Sequence, residues 1–310
     1  MNRSRFLQVA LLCLLVLAAT GPPVKDRANV PAEVFSGHSV LIPPEEYGQS
    51  TRSAPPEPTP PPMVIPASHQ PEAVGPVSTA PMASQLTLRV PILMYHYIRV
   101  NPNPVDRIGA GLSVNPDLFG RQMAYLAEAG FTPVTLADVY AAWTVGGPLP
   151  PKPVVLTFDD GYRDFFTAAY PVLKARGFRA TVYVIVDFLD RPAYLTWEML
   201  STLVSEGLVT VGSHTLTHPD LTTVTPDRAR REIFLSKQRL EERLGVAVAD
   251  FAYPAGRYNP TVAGLVDAAG YQTAVTTRPG NILRLEQRFT LPRVRVDGRE
   301  GLAEFIGKLR

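Results

Sequence analysis

From Leu86 to Arg310 the chain alternates short apolar segments with amphipathic ones. Runs such as 153–158 and 179–186 are rich in β-branched residues, which is typical of strands buried on both faces. The stretches between them carry apolar residues at helical spacing, and glycines that end helices follow at Gly130, Gly177, Gly207, Gly245 and Gly270. The alternation predicts a parallel sheet covered by helices. About seven such units favour a closed barrel over an open doubly wound sheet, which stays the alternative.

Several element boundaries follow from the same pattern. We predict the first strand over Leu86–Tyr97 and a helix from Asp164 to Arg176. Asn115–Asp117 offers an N-cap, a proline at the first helical position and an early acid, so it predicts a helix start. A long helix is expected from Thr225 to Gly245, and a strand over Leu291–Val296 precedes the last helix.

Two adjacent acids stand at the end of the predicted strand Pro153–Phe158. Asp159 and Asp160 follow it directly and Gly161 comes next. Sites in parallel α/β folds are built at the carboxyl ends of strands, and neighbouring side chains there point in different directions. One carboxylate could therefore hold a metal while the other takes a proton. The alternative is a solvated Asp-Asp-Gly turn.

Two of the five histidines of the chain lie close together after another apolar run, Leu208–Val211. His214 and His218 are four residues apart, so on a helical turn they face the same way. Together with a strand-end aspartate they supply three ligands and leave coordination positions for water and substrate. The alternative is that each histidine is a packed or capping residue.

Three ordered motifs resemble the signatures of the polysaccharide deacetylases, carbohydrate esterase family 4. They are Thr157–Tyr162 (TFDDGY), Ser213–His218 (SHTLTH) and Phe251–Gly256 (FAYPAG), and the resemblance runs from about residue 90 to 296. Proteins of this family have a distorted (β/α) barrel and remove N-acetyl groups from sugars. The resemblance therefore implies that fold and that activity here.

The resemblance also implies roles for single residues. Asp159 would be the general base, and Asp160, His214 and His218 would bind one divalent metal ion. Asp-His-His ligation suits Zn²⁺, and mixed oxygen and nitrogen ligands also admit Co²⁺, Ni²⁺ or Mn²⁺. Residues expected at the substrate or the oxyanion are Tyr162, Tyr253 and Pro254.

The sequence departs from the common family pattern at two positions. Many members carry an arginine that steadies the base where this chain has Ala252, and Arg293 is a candidate substitute, with a surface arginine as the alternative. Many members also have a C-terminal histidine as general acid, but no histidine follows His218 here. His96 is the remaining candidate, in a segment that resembles the circularly rearranged branch with poly-N-acetylglucosamine deacetylases. The competing interpretation is a packed histidine at a strand end.

The first 85 residues differ in composition from the rest. Arg3 and Arg5 precede a mostly apolar stretch over 6–19, so residues 1–20 are predicted to be a secretory signal peptide or an uncleaved signal anchor. Residues 21–85 are rich in proline and small polar residues, which predicts a disordered linker. The deacetylase domain would then span 86–310, exported to the periplasm, the cell surface or the medium.

The charge is nearly balanced, with 30 Lys and Arg against 28 Asp and Glu, which argues against a nucleic-acid partner. The expected partner is a glycan, with a membrane tether through the N-terminal segment as an option, and we expect a monomer. Two other functions stay open. One is a non-catalytic glycan-binding surface protein, and the other is a metal-dependent hydrolase of O-acetyl esters or small amides.

Overall fold

The computed structural model describes residues 87–103 and 105–309, so the predicted signal segment 1–20 and the linker 21–85 lie outside the described residues. None of the helices in this part of the chain is both long and apolar enough to span a bilayer.

The strands and helices follow one another in the predicted alternation. The strands are β1 (Thr87–Arg89), β2 (Ile92–Tyr95), β3 (Tyr97–Ile98), β4 (Ser113–Val114), β5 (Thr132–Val134), β6 (Pro153–Phe158), β7 (Ala180–Val184), β8 (Val209–Ser213), β9 (Asp250–Ala252), β10 (Thr273–Pro279), β11 (Ile282–Arg284) and β12 (Leu291–Arg295). The helices are α1 (Arg107–Leu112), α2 (Pro116–Glu128), α3 (Leu136–Thr144), α4 (Tyr170–Lys174), α5 (Trp197–Ser205), α6 (Pro226–Leu244), α7 (Pro260–Ala268) and α8 (Leu302–Gly307).

Seven parallel strands close into a barrel, which confirms the predicted fold class. Their cyclic order is β6, β7, β8, β9, β10, β12, β2 and back to β6. The closing pair sets Tyr95 beside Phe158. Because all strands run the same way, their carboxyl ends share one rim, and the residues that follow β2, β6, β8 and β9 converge there.

The barrel is distorted at several seams. The β8–β9 pairing consists of the single pair Ser213–Phe251, and the β10–β12 register shifts between Val275 and Pro279. The β6–β7 pairing uses only the last two residues of β6, and β5 pairs with its first residues. One edge of β6 is thus shared by two neighbours.

Side chains fill the barrel interior. Tyr183 is fully buried there, and its ring occupies the space that a side chain at position 212 would need. A Cβ atom on Gly212 would lie 2.4 Å from that ring, so glycine is required there. The helices pack on the outside through residues such as Phe119, Ile233 and Val262.

The structure corrects three details of the predicted elements. The strand expected over Leu86–Tyr97 is divided: β1 pairs antiparallel with β11 outside the barrel, and only β2 is a barrel strand. The helix expected from Asp164 begins as a π-helical turn at Phe165–Ala169, next to Pro171, which cannot donate a helical hydrogen bond. The unit formed by β5 and α3 was missed, because three residues including Pro133 make a weak strand signal.

Candidate active site

Asp159 and Asp160 leave the end of β6 on a sharply turned backbone. Asp160 has φ of 72° and Gly161 has the same value, so two successive residues are left-handed. A non-glycine residue rarely adopts this conformation unless its surroundings hold it there. Both carboxylates are buried, with relative exposures of 3% and 8%. The turn sends the two side chains to different partners.

Asp159 is paired with Arg293 inside the barrel. The guanidinium donates two parallel hydrogen bonds, Nη1 to Oδ1 and Nη2 to Oδ2, each 2.7 Å long. Arg293 also donates from Nε to the Thr276 carbonyl at 2.8 Å and from Nη1 to Thr157 Oγ1 at 3.1 Å. Burial alone would raise the pKa of Asp159, but the charge and hydrogen bonds of Arg293 hold it well below its usual range.

Asp160, His214 and His218 form a cluster of three groups that could ligate a metal ion. Their ligand atoms all lie within 4.8 Å of one another. Asp160 Oδ1 is 3.4 Å from His214 Nε2 and 3.6 Å from His218 Nε2.

A hydrogen bond orients His214 for ligation. Its Nδ1 lies 2.7 Å from the carbonyl oxygen of Ala252, which can only accept, so Nδ1 carries the proton and Nε2 is left as the ligand atom. Two imidazole nitrogens and one carboxylate oxygen fit a Zn²⁺-type ion with open positions. The donor set and its spacing therefore agree with the predicted metal site.

His96 follows β2 and faces the Asp159 carboxylate. Its Nε2 atom is 3.9 Å from Asp159 Oδ2, and its side chain is 14% exposed. Burial lowers the pKa of His96, while the charges of Asp159 and Asp160 oppose that shift. The histidine is therefore at the same rim as the carboxylates, as the sequence predicted.

The backbone amide of Tyr162 is free to bind a ligand. Tyr162 forms an isolated antiparallel bridge with Tyr194, flanked by two 2.9 Å backbone hydrogen bonds donated by Arg163 and Leu195. In such a bridge the amide of the central residue points away from the partner segment. In the described part of the chain that amide has no acceptor.

The ring of Tyr162 is held between two other tyrosines. Its centroid lies 3.6 Å from that of Tyr97, in a stacked pair, and 5.2 Å from that of Tyr194. Burial, together with the charge of Asp160, raises the pKa of the Tyr162 phenol, so the hydroxyl stays protonated. The stack restrains the residue whose amide is free.

Tyr253 and Pro254, expected at the substrate, lie after β9 in a buried position. The Tyr253 ring is fully buried against Phe251 and Tyr258, and its hydroxyl has no hydrogen-bond partner among the described residues. Pro254 is also buried and begins a 3₁₀ turn. A role of either residue at the substrate stays a prediction.

Comparison with known proteins gives the family. The polysaccharide deacetylase family model matches residues 146–274. One similar solved structure is that of the Streptococcus pyogenes deacetylase PplD in complex with acetate. Its sequence is 32% identical and the TM-score is 0.67, and the similarity covers 73% of this chain and 100% of PplD. This chain belongs to the polysaccharide deacetylase family.

This chain covers different shares of two curated relatives. Bacillus subtilis (strain 168) YxkH, named as a polysaccharide deacetylase, is 33% identical over 208 residues, 67% of this chain and 71% of the relative. The poly-β-1,6-N-acetyl-D-glucosamine N-deacetylase of Escherichia coli (strain K12) is 28% identical over 240 residues. That match covers 64% of this chain but only 36% of the relative.

Three further residues contact Arg293 or the loop that carries the two histidines, and the sequence assigned no role to them. Thr157 and Thr276 accept hydrogen bonds from Arg293, and Glu232 of α6 binds the loop that carries the two histidines. Thr157 is part of the first motif, but its role depends on an arginine 136 positions away. Glu232 lies on the same face of α6 as the small residues Ala229 and Ser236, and that spacing is the one weak sequence signal that its side chain turns inward.

Proposed function

We propose that this deacetylase is an exported, metal-dependent hydrolase that removes N-acetyl groups from N-acetylglucosamine-type residues of a glycan. The observation that carries the proposal is the cluster of Asp160, His214 and His218 next to the Asp159–Arg293 pair at one barrel rim. The similarity to an enzyme named for poly-β-1,6-N-acetyl-D-glucosamine supports a glycan of N-acetylated sugars.

Asp160, His214 and His218 would hold the divalent ion, with Zn²⁺ as the first candidate and Co²⁺, Ni²⁺ or Mn²⁺ as others. Such an ion supplies Lewis acidity, which polarises the acetyl carbonyl and makes water more acidic. The Ala252 carbonyl accepts from Nδ1 of His214, so in the neutral ring the proton lies on Nδ1 and Nε2 has the free lone pair for a metal ion.

Asp159 is the general base in this proposal. Its carboxylate takes a proton from the attacking water while the water oxygen bonds to the acetyl carbon. Arg293 fixes both carboxylate oxygens and keeps the group ionised in a buried position. Arg293 thus serves in the position that Ala252 leaves without an arginine.

The negative charge that develops on the acetyl oxygen is stabilised by a hydrogen-bond donor that is already in position. The Tyr162 amide is such a donor, because its backbone is held by the bridge to Tyr194 and no acceptor in the described residues occupies it. Removal of one oxyanion donor costs on the order of 10²–10³ in turnover in other hydrolases.

The carbon–nitrogen bond can break only as the nitrogen gains a proton, since an amide anion is a very poor leaving group. His96 is the proposed acid: it gives its proton to the sugar nitrogen, so the products are acetate and the free amine. The proton held by Asp159 can then restore His96, whose Nε2 atom is 3.9 Å from Asp159 Oδ2.

The test is acetate release from a panel of substrates by the purified chain. The panel contains poly-β-1,6-N-acetylglucosamine oligomers, chitin-like oligomers, peptidoglycan and an O-acetylated glycan, each assayed with Zn²⁺ or Co²⁺. We expect acetate and free amine in equal amounts from an N-acetylated glycan. Release from the O-acetylated substrate alone would contradict N-deacetylation, and binding of glycan without acetate release would contradict catalysis.

A further inference from the structure

The loop that carries the two histidines has a strained backbone. Thr215 has φ of 70° and His218 has φ of 61°, both in the left-handed region that favours glycine. Thr215 is β-branched, so the conformation is especially unfavourable there. A hydrogen bond of 2.9 Å from the His218 amide to Thr215 Oγ1 spans the turn. Backbone of this kind persists only where the surrounding structure holds it.

A buried carboxylate on α6 holds the middle of this loop. Glu232 is 5% exposed, and its Oε2 atom accepts the amide hydrogens of Leu216 and Thr217 at 3.0 and 2.9 Å. Its Oε1 atom accepts the Thr217 hydroxyl at 2.6 Å. Three hydrogen bonds to one charged group thus anchor the two residues between Thr215 and His218.

The two histidines differ in how they are held. The ring of His214 is fixed by the Ala252 carbonyl, and the side chain of His214 is only 3% exposed. The side chain of His218 is 34% exposed. The position of His218 therefore depends more on the backbone of its loop, and that backbone is anchored by Glu232.

We propose that Glu232 is a positioning residue of the metal site, an inference that rests on the proposed metal-dependent function. Among the described residues Glu232 forms hydrogen bonds with Leu216 and Thr217 and none with Asp160, His214 or His218. It acts through Leu216 and Thr217, whose amides it fixes so that His218 reaches the same point as His214 and Asp160. Outer partners of this kind change metal affinity by about 10–100-fold when they are removed.

The experiment compares zinc dissociation constants of full-length variants, measured by competition with a chromophoric chelator. Glu232→Ala removes all three hydrogen bonds. Glu232→Gln keeps the shape, because the amide oxygen can accept from the two backbone amides while its NH₂ faces the Thr217 hydroxyl. The control is Glu241→Ala, since Glu241 lies on the same helix and accepts from Lys237 and from the amide of Val248 in another loop.

We expect Glu232→Ala to raise the zinc dissociation constant by about 10–100-fold, and Glu232→Gln and Glu241→Ala to stay within about threefold of the unmodified chain. The visible absorption of the Co²⁺-loaded protein gives a second readout. It should change in Glu232→Ala, because the ligand arrangement changes, and stay the same in Glu241→Ala. A purely structural carboxylate would lower thermal stability and leave both readouts unchanged.

An unchanged zinc constant and Co²⁺ spectrum in Glu232→Ala would overturn the inference. Equal losses in Glu232→Ala and Glu232→Gln would also overturn it, because they would point to charge rather than to positioning. If Glu232→Ala does not fold, the test uses Thr217→Val instead. We expect this variant to raise the zinc dissociation constant by at least about threefold, and an unchanged constant would refute the inference. An unmodified chain that binds no zinc would instead refute the proposed function, so the two failures are distinguishable.

Discussion

Replacement of Arg293 by methionine is the perturbation for which the structure gives the clearest expectation. Arg293 is 1% exposed and forms two 2.7 Å hydrogen bonds with a carboxylate that is itself 3% exposed. Methionine fills much of the same volume but leaves Asp159 buried without a counter-charge. The chain therefore has to accommodate an uncompensated charge or protonate it.

Breaking a buried ion pair by removing one partner costs about 3–5 kcal/mol. For a folded region of this size, each kcal/mol lowers Tm by about 2–4 °C, so Arg293→Met should lower Tm by roughly 6–20 °C at pH 7. The double variant Arg293→Met with Asp159→Asn removes both charges. Its loss of stability should therefore be much smaller than the sum of the losses in the two single variants.

The effect should also depend on pH. In the unmodified chain the folded pKa of Asp159 is below its unfolded value, so the pair stabilises the fold above about pH 4 and less as pH falls. In Arg293→Met, burial raises the folded pKa, so the stability difference between the two chains should be smaller at pH 4 than at pH 7.

Thermal unfolding of the full chain in EDTA at these two pH values measures both effects. EDTA keeps bound metal from masking them. Arg295→Met is the control, since Arg295 is exposed on the same strand and its loss should cost no more than about 0.5 kcal/mol. A loss of less than about 1 kcal/mol at pH 7 in Arg293→Met, or strict additivity in the double variant, would refute this reasoning.

Three further predictions concern single side chains. Asp159→Asn should keep bound metal and lose on the order of 10² to 10⁴ in turnover. Acetate release and metal content are both measured, and a loss of metal would contradict the assignment of Asp159 as the base. His96→Ala should cut amide turnover strongly yet spare p-nitrophenyl acetate, whose leaving group needs no proton; equal losses on both would return the acid role to another group. Burial raises the pKa of Asp250 to about 6, against the opposing Thr273 hydrogen bond, so ionised Asp250 destabilises the fold. The contribution of Asp250 to the free energy of unfolding should therefore fall by up to about 3 kcal/mol as pH rises from about 4 to 6. Asp250→Asn should reduce the slope of stability against pH in urea unfolding by that amount, and an unchanged slope would exclude Asp250 as one of its causes.

Much of the barrel could be predicted because local signals and global fold agree. Asn115 accepts an amide hydrogen at the start of α2, as its Asn-Pro context indicated, and Thr225 does so at the predicted start of α6. Pairing between distant segments was less predictable. The antiparallel pair of β1 and β11 joins residues nearly 200 positions apart, and no local pattern distinguishes it from a barrel strand.

The candidate site shows the same division. Asp160, His214 and His218 come from two short motifs, so their sequence predicted the cluster that the structure contains. Arg293 could be named only as one candidate, because its contact with Asp159 depends on the closure of the barrel. The contact of Glu232 with the histidine loop and the burial of Tyr253 depend on how α6 and the outer layer pack. No local sequence pattern predicts these contacts.

The central claim is that Asp160, His214 and His218 hold one metal ion that hydrolysis requires. The most direct measurement titrates Zn²⁺ or Co²⁺ into metal-free protein while acetate release from N-acetylglucosamine oligomers is followed. We predict that the rate rises from near zero to a plateau at about one equivalent, and that His214→Ala and His218→Ala bind less metal and stay inactive. Acetate release that is equally fast in metal-free protein, or stoichiometric metal in both histidine variants, would contradict the account.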